Sequence, residues 1–442
     1  MSASSTIEPG SGFVCDCEEQ MRSACAREPF YKPYEGKRYC VFHFPGAEKS
    51  ADFNKAFQRK LADMNFDFLG VWFPEELSFK EFVFATKANF RFAWFHSKVS
   101  FDFARFSVEA DFRDTTFEEE ADFGNVTFDG YAYFTRAVFR AHATFINAVF
   151  ATRVFFTNAK FLARTDFVSA SFTERAYFQQ TTFWAKAYFT YTSFQSYVLF
   201  SGNSKKQVIG DEASLDFQFA RTEKPERVSF HTLTLRPHWF INVDTRKLDF
   251  TNIDWDRWKN SLDEGVKALK SKGISPAHRL LAIVCRHLAV NAEENHRYEE
   301  ASKFRYMAMD ARRMESWLGF APQKLSWWYW LASGYGERVW RAFLVLLGIL
   351  LLSAVLYNHV GFARWEPRLA SESDVASMKR DDAGAPLKFS RALTYSAAVM
   401  AFQRPEPRPA TTPAQTVVLL ETILGPVQAA LLALAIRRKF MR

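Results

Sequence analysis

Cysteine, glycine and proline are all scarce in this chain. Five cysteines among 442 residues cannot staple a disulfide scaffold. Gly 18 and Pro 16 exclude collagen-like and linker-like chains. No P-loop, GxGxxG or HExxH string occurs, and the nine histidines fall into no Ser/His/Asp or Cys/His arrangement, so no enzyme is expected. The first twenty residues carry Glu8, Asp16, Glu18 and Glu19 and lack a basic stretch followed by an apolar run, so no secretory signal is expected. Hydrophobic residues at 48% and charged residues at 24% exclude global disorder. The net charge of +8 permits contact with an anionic membrane or with nucleic acid and by itself distinguishes neither.

Phenylalanine is the residue in excess: 48 of 442 is roughly 11%. Its placement is periodic. Phe stands at 68, 79, 90 and every eleventh position to 200, and again at 73, 84, 95 and every eleventh position to 194. All 25 places are Phe, and the intervals alternate 5 and 6. Two residues before each Phe is a small position, Ala in 13 of 25, Val in five and Thr in four. Two residues apart is one face of an extended strand. A helix is excluded, because steps of 5 and 6 advance about 140° and 240° and scatter the rings around the axis.

The A-x-F pattern with polar residues between resembles the pentapeptide-repeat family, in a Phe-rich variant with an extra residue at alternate corners. The resemblance covers about residues 50–200, with degenerate copies to 253. It implies a right-handed quadrilateral β-helix with Phe stacked on Phe one coil away, Phe112, Phe123, Phe134, Phe145 and Phe156 forming the middle of the ladder. Four units are 22 residues, so the 133 regular residues make about six coils and a rod roughly 30 Å long. Some members mimic DNA and bind type II topoisomerases through an acidic surface. Residues 51–202 hold 17 Asp/Glu and 16 Lys/Arg, which speaks against that role. The one acidic cluster, Glu109 to Asp122, reads as a solvated face.

The remaining segments divide around this rod. Residues 1–50 form an N-terminal cap containing Cys15, Cys17, Cys25, Cys40 and His43. Cys40-x-x-His43 is a compact chelating pair and Cys15-x-Cys17 offers a second, which suits structural zinc. Five donors for four places leave the set open, and free reduced thiols are the competing reading. Residues 51–253 are the β-helix, regular over 66–202 and degenerate over 203–253. Residues 254–320 read as a helical linker, with helices over 279–290 and 295–314; Cys285 reads as core there. The string from Tyr298 to Phe304 is similar to tetratricopeptide helices, but a plain helical hairpin linking rod to membrane is the favoured reading.

Residues 321–442 form a transmembrane pore-like region. Apolar spans run over 342–362 and 414–436, each long enough for the hydrocarbon layer. Trp327, Trp328, Tyr329, Trp330 and Trp340 suit an interfacial belt. Lys324, Arg338 and Arg341 precede the first span, and Arg437, Arg438, Lys439 and Arg442 follow the second. The positive-inside rule then puts both termini in the cytoplasm and residues 364–390 outside, in a multi-pass protein of the cell inner membrane. The competing reading is a pair of buried core helices. Between the spans, about 389–402 is too short to cross and suits a re-entrant helix.

Span, short helix, loop, span resembles the two-transmembrane pore module of the potassium-channel superfamily. The T-x-G-[YF]-G filter is absent, and the matching place reads Ala401-Phe-Gln-Arg-Pro405. Gln403, Arg404 and Arg408 are expected at the outer mouth. Glu421, Leu424, Gly425 and Gln428 on the second span are the expected pore lining, since an ionisable residue inside a membrane is a functional candidate. Gly425-Pro426 is the expected hinge. A pore needs a homo-oligomer, and the resemblance implies a tetramer opened by an unidentified protein or small molecule; no nucleic acid is expected. A membrane-anchored scaffold that conducts nothing is the alternative, and a topoisomerase-binding DNA mimic the weaker one.

Overall fold

The structure is a computed structural model that describes residues 13–25, 28–203, 208–255, 261–315, 324–363 and 386–440. Of the expected features, residues 364–385 of the outer loop and Arg442 lie outside these. The chain forms two compact units, residues 1–287 and 288–442.

In the first unit, residues 72–251 wind into a β-solenoid of about eight turns. Its strands are mostly two residues long and form four parallel sheets of eight, six, seven and seven strands, in which each strand of the regular coils pairs with the fourth strand after it. The register is 22 residues: Ala110 pairs with Ala132, and Phe117 with Phe139. Each coil therefore places Phe above Phe, as Phe117, Phe139 and Phe161 show. The rings obey this register. Phe112 stacks flat on Phe134 at 5.0 Å, and Phe134 on Phe156 at 4.9 Å. Adjacent columns meet edge-on, as between Phe123 and Phe134 at 5.5 Å and 89°. Phe123 and Phe145 continue the neighbouring column at 5.0 Å. The small positions are fully buried, Ala110, Ala121, Ala132 and Ala143 among them. Where Thr replaces Ala, its hydroxyl needs a partner. Thr115, Thr181 and Thr192 each donate to the carbonyl 25 residues earlier, at 2.7–2.8 Å.

The corners carry a feature beyond the Phe spacing. A residue with positive φ lies two places after each Phe of the first series from Phe79 to Phe189, running from Glu81 through Asn125 and Arg136 to Tyr191. None of these eleven is glycine. Asn and Asp tolerate this conformation best, and Asp114, Asn125, Asn147 and Asn158 hold the middle corners. Their side chains form ladders of their own: Asn147 donates to Asn125 at 3.1 Å, and Arg136 to Asp114 at 2.5 Å. Gly130 is required for a different reason, since a Cβ there would stand 2.1 Å from the Val108 carbonyl oxygen of the coil below.

Charges follow the same 22-residue register. Lys87 pairs with Glu109, Lys98 with Glu120, and Arg140 with Glu118. The acidic cluster is thus mostly ion-paired across coils, and Asp111 is buried against Arg113 instead of facing solvent. Exposed pairs of this kind contribute roughly 0–1 kcal/mol each.

The N-terminal end of the coil is plugged. Helix α1 (Ser50–Ala62) turns Phe53 and Phe57 onto the first rings, Phe57 lying 5.5 Å from Phe68 and 5.9 Å from Phe79. At the other end the ladder continues through Phe200, Phe230 and Phe250. Helices α2 (Ser261–Ser271) and α3 (Ala277–Glu294) follow.

The second unit contains α4 (Tyr298–Met314), α5 (Leu325–Ser333), α6 (Val339–Tyr357), α7 (Phe389–Met400) and α8 (Thr412–Phe440). Helices α6 and α8 are long and apolar enough to cross a membrane. Both leave most of their apolar surface uncovered, with Leu344, Leu352, Leu419 and Val427 at least half exposed. The first span was expected over 342–362. The helix instead begins three residues earlier and ends at Tyr357, because Asn358 and His359 break the apolar run and close the last turn. Residues 361–363 then pair with the chain after α7: Phe362 bridges Pro409, and Ala363 donates to the Arg408 carbonyl.

Candidate functional site

Two clusters of polar groups are built into this chain, one in each unit. The first lies in the N-terminal cap. A hairpin of β1 (Phe30–Tyr34) and β2 (Lys37–Cys40) presents Cys40 at its end, and a 3-10 turn Glu19–Cys25 presents Cys25. The Sγ atoms of Cys15, Cys17 and Cys25 and a ring nitrogen of His43 lie within 4.8 Å of one another, all four residues buried. Cys40 Sγ stands 3.3 Å from His43 Nδ1, and the Cys40 amide donates to Cys15 Sγ at 3.3 Å. The other ring nitrogen, His43 Nε2, donates to the Leu69 carbonyl at 3.0 Å. Hydrogen bonds from Cys17, Cys25 and Cys40 hold the Cys15 thiol far below the usual range, whereas those with Cys15, Cys17 and Cys40 push Cys25 up. All five expected donors are thus brought together.

Two lysines hold the pocket, one on the loop that carries His43 and one on the 3-10 turn that carries Cys25, and the sequence reading did not single them out. Lys49 is fully buried, donates to the Phe42 carbonyl at 2.9 Å and sits over the rings of Phe53 and Trp72. Lys60 donates to the Ala24 carbonyl at 3.1 Å. Burial lowers both ammonium pKa values, since desolvation penalises the charged form. The Trp72 amide donates to the Phe42 carbonyl at 3.0 Å, so this loop covers the open edge of the first coil strand.

The second cluster joins α6, α7 and α8. Glu421 is buried, and both its oxygens are engaged: Tyr357 of α6 donates to one and Ser396 of α7 to the other. One helical turn on, Gly425 faces α7, and a Cβ there would stand 2.7 Å from Met400 Cγ. A further turn on, Gln428 is buried and donates to the carbonyls of Ala332 and Ala342 at 2.7 and 2.8 Å. Glu421, Gly425 and Gln428 therefore share a face, and it is turned toward the neighbouring helices of the same chain. Leu424 is half exposed on another face, so the expected lining of four residues is divided. Pro426 lies inside the continuous helix α8. Gln403, Arg404 and Arg408 are exposed, Arg408 pairing with Glu406 at 3.4 Å.

At the other end of the same helices is a contact that sequence reading missed. The Glu337 side chain is nearly buried in the turn between α5 and α6. It accepts from Ser302 and Arg305 of α4 at 2.6 and 3.0 Å and meets Arg438 of α8 at 3.5 Å. Arg438 also donates to the Tyr335 carbonyl at 3.0 Å. One carboxylate thus ties α4 to the ends of both apolar helices. A lone acid between Lys324, Arg338 and Arg341 was the available signal.

The pattern that organises the first unit has a match among known families: residues 93–138 fit the family model described as pentapeptide repeats, nine copies. The chain carries pentapeptide repeats. Comparison with curated proteins and with solved structures gives no match. The repeat rod displays side chains on a fixed lattice, an arrangement suited to a scaffold.

Proposed function

We propose that this is an oligomeric membrane pore whose pentapeptide-repeat rod serves as a cytoplasmic sensor or assembly domain. The supporting observation is the path of the chain around α7. The Leu387 amide donates to the Tyr357 carbonyl, at the end of α6. Helix α7 then descends to Met400 beside Gly425, midway along α8. From there the chain returns, and residues 408–411 pair with Gly361 and Ala363 beyond the same end of α6. A twelve-residue helix that enters and leaves on one side, between two helices able to span hydrocarbon, supports the re-entrant reading.

In this reading the wall of the conduit is the segment after α7, Ala401 to Arg404, with Gln403, Arg404 and Arg408 at the outer mouth. Glu421 and Gln428 act behind that wall, holding α7 and α5 in place. Glu337 transmits movement of α4 to both spans, as a gate requires. The coil is right-handed and both termini are cytoplasmic, in an inner membrane; both follow from the resemblance and the basic flanks. A tetramer is the assembly that the resemblance implies.

A second reading is favoured by one observation. Because Glu421 and Gln428 are satisfied within one chain, the helical unit needs no partner copies to bury them, as a monomeric membrane-anchored scaffold would require. The two readings separate in one experiment on the full-length protein. Mass in detergent is determined first, and current is then recorded in planar bilayers for wild type, Arg404→Glu and Glu337→Gln. A symmetric oligomer with unitary currents altered in ion preference by Arg404→Glu and in opening by Glu337→Gln supports the pore. A silent monomer overturns it in favour of the scaffold.

A further inference from the structure

The N-terminal cap holds more thiol than its fold uses. Residues 13–49 contain one two-stranded hairpin and short 3-10 turns. A hairpin alone is marginal in water, and a lobe of about 40 residues ordinarily needs a metal or a disulfide. All five cysteines of the chain are unpaired, and four of them converge here.

We propose that this pocket is a structural zinc site, with Cys15, Cys17, Cys25 and His43 as ligands. Three observations carry it. The four donor atoms already lie within 4.8 Å of one another. Tetrahedral zinc at about 2.3 Å from sulfur requires sulfur atoms roughly 3.8 Å apart, so a small contraction completes the shell. The imidazole is also oriented as a ligand: Nε2 donates to the Leu69 carbonyl, which leaves the lone pair of Nδ1 directed at the thiols. Such an outer partner on the second nitrogen is the usual accompaniment of a metal-bound histidine. Finally, the Cys40 amide donates to Cys15 Sγ, a contact that stabilises a thiolate. Cys40 itself closes the pocket from the side and is the thiol left over.

The consequence for the fold is specific. The ion would join the 3-10 turn and the segment 15–17 to the loop at 40–43, which covers the edge strand Trp72–Phe73 of the rod. Zinc would therefore lock the cover on the first coil, and its binding energy becomes folding energy of the cap.

The test uses the full-length protein purified without chelator. Metal content is measured by mass spectrometry of the elements, and thiols are titrated in parallel as metal is displaced. About one zinc per chain is expected, released together with three protected thiols. Cobalt replacing zinc should show the ligand-field bands of a tetrahedral thiolate site. Cys25→Ser and His43→Ala should each lower zinc affinity by at least the roughly 10–100-fold that loss of an outer partner costs. Cys40→Ser and Cys285→Ser should retain zinc. Wild-type protein with no bound metal, or with a disulfide in the pocket, overturns the site whatever the variants do. Loss of zinc in Cys40→Ser with retention in Cys25→Ser overturns the ligand set.

Discussion

Replacing Phe134 by Ala tests the ladder where it is most constrained. The ring is fully buried and lies flat between Phe112 and Phe156. It also meets Phe123, Phe128 and Phe145 edge-on at 5.5–5.9 Å. Removing a buried Phe costs about 3–5 kcal/mol, and the figure rises when the site cannot collapse. Here it cannot, because the coil spacing is set by backbone bonds such as Phe134 N–H to the Phe155 carbonyl at 2.7 Å. Two face-to-face stacks are lost as well, each contributing about 0.5–1.5 kcal/mol. The expected cost is thus near 5 kcal/mol. Phe250, at the last strand, stacks face-on with Phe230 only, at 5.3 Å and 20°, so Phe250→Ala loses one stack instead of two and should cost roughly 1 kcal/mol less. Because each coil contacts only its neighbours, the damage should be local. Amide hydrogen exchange on the full chain reads this directly: protection should fall most at Ala110–Asp111 and Val154–Phe155, the strands above and below. A cost under about 1 kcal/mol, or one equal to that of Phe250→Ala, refutes the reasoning.

Three further outcomes are expected. Thr115→Ala should be nearly neutral, within about 1 kcal/mol by thermal unfolding, because the Phe90 carbonyl keeps its bond from the Ala93 amide while the hydroxyl that needed a partner is gone. Gly425→Ala should destabilise the helical unit by about 1–3 kcal/mol through the contact with Met400, and Met400→Ala should restore part of the loss in a double-mutant cycle measured in detergent. Acid should loosen the C-terminal end of the rod at His238: burial, aided by Arg236 and Lys272, lowers its pKa to about 3 from the ordinary 6.5. The folded state then refuses a proton that the unfolded state accepts, so stability present above pH 6.5 is lost as pH falls toward 3, by on the order of 2–4 kcal/mol; a His238→Phe variant whose unfolding retains the same pH profile would contradict this.

The division between what could be read from the chain and what required the fold follows the range of the forces involved. The coil, its inward Phe and Ala positions and its 22-residue pitch were legible, because a repeat makes every long-range contact a copy of a local one. The pairing of Lys87 with Glu109 was implicit in the same pitch. The left-handed corners were not, since Glu81, Arg136 and Tyr191 share a backbone conformation without sharing chemistry. The cysteine pocket was legible as a set of donors only. Its geometry depends on a loop held by Lys49 and a 3-10 turn held by Lys60, lysines that any hydropathy pattern places at the surface. In the helical unit, spacing put Glu421, Gly425 and Gln428 on one face correctly. The direction of that face was decided by Tyr357, Ser396 and Met400, residues that lie 64, 25 and 25 positions away in sequence from the groups they meet. Periodicity and hydropathy are properties of neighbours, so the repeat lattice and the two apolar helices follow from the order of residues alone. Which polar groups those helices turn inward depended on packing between distant segments, because a buried carboxylate goes where hydroxyls from other helices can satisfy it.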